Sequence, residues 1–388
     1  MRPEFWKGKR VLVTGHNGFK GLWLSKWLDL CGAEVLGVSL APEPESLRES
    51  VNFSARFSER TLDIRDKKLF SEAVLAFDPQ IVFHLAAQPI VKKAAADPYG
   101  TFCTNVGGLL NLLEIFREGL SEEAVPASAE NGSPALFSEK ISLRAVVVIT
   151  SDKVYRNTGI RTGYREEDPL GGDEPYSASK ACQEMVAAGY RRLCFLPAGI
   201  GLATARAANI FGGADHHFDR LIPYLIQCAL DGQSPELRNP DAIRPWQYIT
   251  EPLDGYLMLA EALWKDPQSF SEGWNFGPDV REIHTVAEMA QMIAKAAGGT
   301  AAAQNHTDET GKIAAENVKP HPEKNFLEAG VLTVDSQKSR DRLGWQCRLS
   351  LSEGLSRTCD FYRAERQGVL PDELMAAEIQ AQIRRDMK

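Results

Sequence analysis

An apolar run, Val11-Leu12-Val13-Thr14, breaks into Gly15-His16-Asn17-Gly18-Phe19-Lys20-Gly21, after which Leu22, Leu24, Trp27, Leu28 and Leu30 recur at helical spacing. No other feature constrains the fold as strongly. A strand that passes at once into a helix through glycines spaced G-x-x-G-x-x-G opens a parallel α/β sheet. The glycines permit a tight turn with the backbone close to a ligand. The helix start adds unpaired N–H groups and the positive end of its dipole. The turn therefore reads as a nucleotide pyrophosphate site lined by Gly15, Asn17, Gly18, Phe19 and Gly21. The competing reading is a turn that only packs helix on strand.

The next segments extend the alternation. Glu34 to Leu40 reads as the second strand. In dinucleotide-binding sheets a carboxylate at the end of this strand takes the ribose 2′-hydroxyl and selects NAD over NADP. Here Ser39 stands there, Glu43 lies beyond Pro42, and no arginine follows at once to welcome a 2′-phosphate, so both cofactors stay open. Arg60 to Asp66 predicts a short strand, with Asp63 placed for an adenine amino group, Ile64 beside it, and Asp66 capping the next helix. Gln80 to Pro89 predicts a buried strand whose Leu85-Ala86-Ala87 exit lets a flat cofactor lie close to the backbone. His84 within it reads as a core histidine. A helix is expected to open at Asn105-Val106.

The central strand, Ala145-Val146-Val147-Val148-Ile149, reads as buried on both faces, and it breaks into Thr150-Ser151-Asp152-Lys153. Strand ends of open α/β sheets are where ligands bind. A helix begins near Pro175 or Tyr176 and sets Tyr176 and Lys180 four residues apart on one face. An ammonium beside a phenol favours the phenolate. A strand over 202–213 is expected next. Beyond it the alternation loosens into a second lobe with two arginine-bearing pieces, Asp219-Arg220-Leu221-Ile222-Pro223 and Arg238-Asn239-Pro240-Asp241-Ala242-Ile243-Arg244-Pro245-Trp246. Arginine forks beside prolines and aromatics suit a diphosphate carrying a base.

These elements predict a Rossmann-type, doubly wound parallel sheet over residues 1–208, with 249–280 returning to it. A smaller C-terminal α/β substrate lobe spans 209–248 and 281–365. Residues 119–143 and 298–325 read as surface insertions, and 366–388 as a charged terminal helix. A net charge of −8 argues against a broad nucleic-acid surface. Seven scattered cysteines with no CxxC pair give no metal spacing and suit a reducing, cytoplasmic setting. No run approaches the ~20 apolar residues of a membrane span, and the N-terminus lacks the apolar core of a secretion signal.

Glycine turn, serine-ended central strand and Tyr176-Ser177-Ala178-Ser179-Lys180 together resemble the extended short-chain dehydrogenase/reductase family over about residues 9–350. The resemblance implies Tyr176 as base toward a sugar hydroxyl. It implies Lys180 on the nicotinamide ribose and Ser151 on the reacting oxygen. Gln88, Asn209, Arg220, Arg238 and Arg244 are then the contacts to a nucleotide sugar. Within the family, nucleotide-sugar 4,6-dehydratases carry Asp-Glu after the hydroxyl residue. Asp152-Lys153 instead looks like the branch acting on CDP-glucose, as do Thr14-Gly15-His16 with Phe19-Lys20-Gly21, and Arg244-Pro245-Trp246-Gln247. That branch implies Asp152 as acid and Lys153 as base in a 4,6-dehydration. It also implies NAD by preference, a homodimer or larger assembly, and a deoxysugar for surface polysaccharide such as lipopolysaccharide. Two same-fold alternatives stand beside it, a dTDP- or GDP-sugar dehydratase and a 4-epimerase. A non-catalytic NAD(P)-binding scaffold is a third.

Overall fold

The structure, a computed structural model, describes residues 1–44, 46–120, 141–217, 220–237, 239–278, 283–298 and 331–386. Ten strands are present among them: β1 (Arg10–Thr14), β2 (Glu34–Ser39), β3 (Phe57–Thr61), β4 (Ile81–His84), β5 (Ala145–Ile149), β6 (Gly201–Ala207), β7 (Asn209–Phe211), β8 (Ile243–Tyr248), β9 (Gly273–Phe276) and β10 (Ile283–Thr285). Seven form one sheet in the order β3-β2-β1-β4-β5-β6-β9, every neighbouring pair parallel. The order reverses between β1 and β4, so the crevice for a ligand opens above their carboxyl ends.

Side-chain alternation divides the core. Val11, Val13, Phe83 and Val147 pack on one face of the sheet with Trp27 and Leu257. Leu12, Val82, Val146 and Val148 pack on the other with Leu112, Phe116 and Ala187. Helices thus cover both faces, which is what a parallel sheet of apolar strands requires. The helix Thr250–Lys265 and β9 belong to this large unit.

A three-stranded sheet, β10-β8-β7, forms the smaller lobe, with β10 antiparallel and β7 parallel to β8. Helices Leu221–Leu230, Val286–Ala296 and Leu351–Arg366 assemble around it. Phe211, Trp246 and Tyr248 share one continuous apolar cluster with Val11 and Trp27, so the two lobes are fused through their cores.

Three elements differ from expectation. The strand foreseen over 60–66 runs over Phe57–Thr61, because its pairing follows β2 from Val35 onward. Asp63 consequently lies in the following loop. The strand foreseen over 202–213 divides at Ala208, β6 staying in the large sheet and β7 leaving for the small one. Asn105 does not open a helix: the chain is helical from Pro98, makes a π-type turn over Cys103–Gly107, and continues to Gly119. Most of 119–143 and 298–325 lies outside the described residues.

Candidate active site

At Gly15 and Gly21 the glycine turn is closed by contacts that leave no room for a side chain. Gly15 has φ +74, and a Cβ on it would stand 2.7 Å from the Ala86 nitrogen. A Cβ on Gly21 would overlap the Gly15 carbonyl oxygen. Gly18 is the N-cap of the helix Phe19–Leu30 and contributes no side-chain cap. The first-turn N–H groups therefore face the crevice, which fits an anionic diphosphate. Ala86 is held there because its N–H donates to Thr14 Oγ1 at 3.2 Å, while Leu85 N donates to Thr14 O at 3.1 Å. Asn17 Nδ2 donates to Leu40 O at 2.7 Å, which fixes the loop after β2 against the turn. Ile64 is buried, and its side chain would collide with any Cβ on Gly108. Ala87 is half-buried at the exit of β4.

The carboxyl end of β5 meets the helix Pro175–Tyr190 directly. Glu174 caps that helix, its carboxylate accepting from Tyr176 N at 2.7 Å and Ser177 N at 2.8 Å. Tyr176 is thereby fixed at the helix start, facing the strand end. Ser151 Oγ donates to Asp152 Oδ1 at 3.0 Å and accepts from Lys153 N at 3.2 Å. Asp152 is buried, and its Oδ2 has no partner among the described residues. Burial pushes its carboxyl above the usual range, although Lys153, Ser151, Arg244 and Lys20 all pull the other way. Lys153 Nζ stands 5.8 Å over the Tyr176 ring.

Lys180 differs from the simple phenol–ammonium pair. Its Nζ donates to Ile149 O at 3.1 Å and to Gln183 Oε1 at 2.9 Å. Burial, with Lys20 nearby, lowers it to about 7, while Glu184 works to raise it. Tyr176 moves up to about 12, through burial first, with the Ser151 hydroxyl acting to lower it. In this state the phenol is not activated by Lys180. Gln183 Nε2 in turn donates to the Asn105 carbonyl at 2.6 Å, a carbonyl of the π-type turn. Asn105 Nδ2 reaches Ser179 Oγ at 2.8 Å.

The sugar-side candidates divide. Arg220 Nη1 pairs with Asp215 at 2.9 Å, its guanidinium lies 5.8 Å over the Phe19 ring, and its charge reaches Tyr176 and Lys20. Arg244 is buried on β8 within the field of Asp152. Asn209 opens β7, half-buried. The Gln88 amide, by contrast, is engaged by its own loop and the helix Pro98–Phe102: Nε2 donates to Ile90 O and Thr101 Oγ1, both at 3.1 Å, and Oε1 accepts from Ile90 N at 2.7 Å. Asp63 is likewise engaged, gripped by Arg65 at 2.8 Å and accepting from the Arg65 backbone at 2.9 Å. Arg238 and Asp219 lie outside the described residues. His84 is buried with Nδ1 2.9 Å from Thr14 Oγ1, and burial lowers it to about 3, as a neutral core histidine requires.

Spacing alone missed several participants. Lys20, lowered to about 8 by burial and Arg220, stands near Asp152. A basic residue between Phe19 and Gly21, where the helix turns inward, was the available signal. Glu184 and Arg206 form a buried pair at 2.8 Å beneath the strand end. Glu184 continues the Tyr176/Lys180 face by one more turn, and an arginine inside an apolar strand demands such a partner.

The fold and the site have known counterparts. A family model described as GDP-mannose 4,6 dehydratase matches residues 12–358. The CDP-glucose 4,6-dehydratase of Salmonella typhimurium is 40% identical over 367 residues, covering 93% of this chain and 92% of that protein. Among solved structures, a Thermus thermophilus UDP-glucose 4-epimerase in complex with NAD superposes with a TM-score of 0.68 at 25% identity, covering 91% of this chain and 99% of that one. A Bacillus anthracis dTDP-glucose 4,6-dehydratase in complex with NAD gives 0.71 at 19% identity, covering 93% and 98%. With the family's model spanning residues 12–358, and a 40% identical dehydratase matching over 93% of the chain, this protein belongs to the nucleotide-sugar 4,6-dehydratase family.

Proposed function

We propose that the chain converts CDP-glucose to CDP-4-keto-6-deoxyglucose and water, a hydro-lyase reaction with NAD as a retained cofactor. The observation that carries this reading is the Ser151-Asp152-Lys153 strand end, with Ser151 and Asp152 buried and Lys153 half-buried, set against Tyr176, and the Asp152 carboxyl shifted toward its protonated form. Cytidine is supported by the likeness to the Salmonella CDP-glucose 4,6-dehydratase, and NAD by the NAD-bound epimerase and dehydratase structures.

The uncapped amides after Gly18 would hold the NAD diphosphate, with Ala86 and Ala87 beneath it and Lys180 toward the nicotinamide ribose. The chemistry supplied by NAD bound there would be reversible hydride acceptance, from C4 of the sugar and back to C6, together with a positive charge that favours the Tyr176 phenolate. Tyr176 removes the proton of the 4-hydroxyl, and the Ser151 hydroxyl hydrogen-bonds the same oxygen. A ketone at C4 acidifies the C5 hydrogen, so a single amine suffices to remove it; Lys153 takes that role and returns the proton to C5 when hydride reaches C6. Asp152, protonated, gives its proton to the departing 6-hydroxyl, which leaves as water. Arg220 and Arg244, with Arg238, are the diphosphate and base contacts. The product is a precursor for surface deoxysugars.

Incubation of the purified chain with CDP-, dTDP-, GDP- and UDP-glucose, with the products identified, tests the reading. A 4-keto-6-deoxy product from CDP-glucose alone is expected. An epimerised sugar, or preference for another base, would replace it with the corresponding same-fold activity, and no turnover of any of them would favour a binding scaffold. Seven thiols, none in a disulfide, suit a cytoplasmic enzyme. Exposed Tyr99, Met185 and Leu193, on helical segments near the site, support a homodimer. A monomer in sedimentation equilibrium at micromolar concentration would remove that part.

A further inference from the structure

Ser39 leaves the end of β2 without the carboxylate that ordinarily reads an adenosine ribose. The neighbouring strand supplies one. The β2–β3 register sets Gly37 beside Glu59 and Ser39 beside Thr61. Side chains repeat every two residues along a strand, so Glu59 shares a face with Gly37 and Ser39. His16, from the glycine turn, covers that face: a Cβ on Gly37 would stand 2.6 Å from the imidazole Cγ. The His16 Nε2 lies 3.0 Å from Glu59 Oε2. Arg48 Nε donates to the same oxygen at 2.9 Å, and its Nη1 donates to Val51 O at 3.1 Å. The guanidinium lies 4.8 Å over the Phe53 ring and 5.2 Å over Phe57.

The loop that carries Arg48 is fastened to the turn. Ser46 Oγ donates to Asn17 O at 2.9 Å and accepts from Arg48 N at 3.2 Å. An arginine nine residues past the strand end is thus brought back to it. Burial lowers His16 below its ordinary range, against the pull of Glu59. Burial works to raise Glu59, but His16 and Arg48 hold it below the usual carboxylate range. Near neutral pH the cluster therefore carries one negative and one positive charge.

We propose that Glu59, reaching in from β3, sets the preference for NAD over NADP. Its carboxylate places negative charge beside the ribose 2′ position and keeps Arg48 engaged, so no guanidinium is offered to a 2′-phosphate. The inference rests on the reading of the glycine turn as a nicotinamide dinucleotide site. It goes beyond that reading by naming the residues that choose between two dinucleotides.

Equilibrium binding of NAD and NADP to the full chain, followed by tryptophan fluorescence at low ionic strength, tests it. Wild type should bind NAD more tightly. Glu59→Gln leaves Arg48 uncompensated and should move the NADP-to-NAD affinity ratio toward NADP by about tenfold. In the double variant Glu59→Gln/Arg48→Met that gain should vanish, and so should most of its salt dependence. An unchanged ratio in Glu59→Gln with NAD binding intact would overturn the inference and leave the dinucleotide reading standing. A wild-type preference for NADP would also overturn it. If wild type bound neither dinucleotide, the functional reading itself would fall, and this inference with it.

Discussion

A buried carboxyl whose pKa is raised favours its protonated form in the native state, and this gives Asp152 a stability signature. Its native pKa exceeds the unfolded value of ~3.9. The stability it contributes is complete below the unfolded pKa and is lost as pH rises through the native one. Asp152→Asn cannot ionise and should escape that loss. The unliganded variant should melt above wild type at pH 7, by about 1 kcal/mol, and the gap should close as pH falls toward 4. Equal melting at both pH values would mean that the site does not strain this group. In turnover, the same variant should slow elimination more than oxidation of C4. Lys153→Met should abolish exchange of the C5 hydrogen with solvent deuterium while leaving dinucleotide binding intact, and persistent exchange would remove Lys153 as the base. The strand end alone reads as readily as a polar loop; it is singled out as a candidate site because a glycine turn precedes it and because Tyr176 and Lys180, which follow, fall on one helical face. The internal partners of Gln88 and Asp63, namely Ile90, Thr101 and Arg65, were not legible, because no periodicity announces such contacts.

One scale up, the strand end is held by a polar clamp that spans three elements. Thr150 Oγ1 donates to Glu184 Oε1 at 2.6 Å, and Thr204 Oγ1 to Glu184 Oε2 at 2.6 Å. Arg206 on β6 binds Glu184 Oε2 at 2.8 Å and donates to the Tyr155 hydroxyl at 2.8 Å. Tyr155 OH donates to Asn275 Oδ1 on β9 at 2.6 Å. Thr150 and Tyr155 bracket Ser151-Asp152-Lys153, so the clamp fixes the catalytic segment at both ends. Removing Arg206 would leave Glu184 buried and unpaired, at a cost of ~3–5 kcal/mol, and would confuse activity with unfolding. Thr150→Val keeps the shape and the ion pair while deleting one anchor. Its kcat should fall about tenfold with KM nearly unchanged, since small misplacements of reacting groups are costly. A lowered melting point with kcat intact would reduce Thr150 to a structural role. At this scale the sequence showed where helices and strands occur more reliably than where they end. The apolar run after Gly201 continues through Ala208, and only pairing with β8 reveals that Asn209 has changed sheets.

Across the whole molecule, the least informative stretch of sequence proves to be tied to the nucleotide turn. The terminal helix Pro371–Asp386 reads as charged and without chemistry, yet it buries Met375 and Ile379 completely. It packs against Phe19–Leu30, whose N-terminus faces the crevice, and against Thr250–Lys265. Asp372 at its start accepts from buried Lys26 at 2.6 Å and from Asn52 N at 3.2 Å, joining it to the loop that carries Arg48. Arg357 pairs with Glu378 at 2.9 Å and ties it to the preceding helix. The fold class was legible from the alternation of apolar runs; this attachment was overlooked, although Met375, Ile379 and Ile383 recur four residues apart on one helical face, because charged residues dominate the segment. Burial of Met375 and Ile379 is worth about 4 kcal/mol together, a large share of the stability of an ordinary domain. A chain ending at Gln367 should therefore melt several degrees lower. Below that melting point it should also bind NAD more weakly than wild type, because the helix Phe19–Leu30 loses its outer support. Calorimetry and fluorescence titration measure the two effects separately. A truncated chain with an unchanged melting point would show that the helix adds nothing to the fold. A lower melting point with unaltered affinity would show that it supports the core without reaching the nucleotide turn.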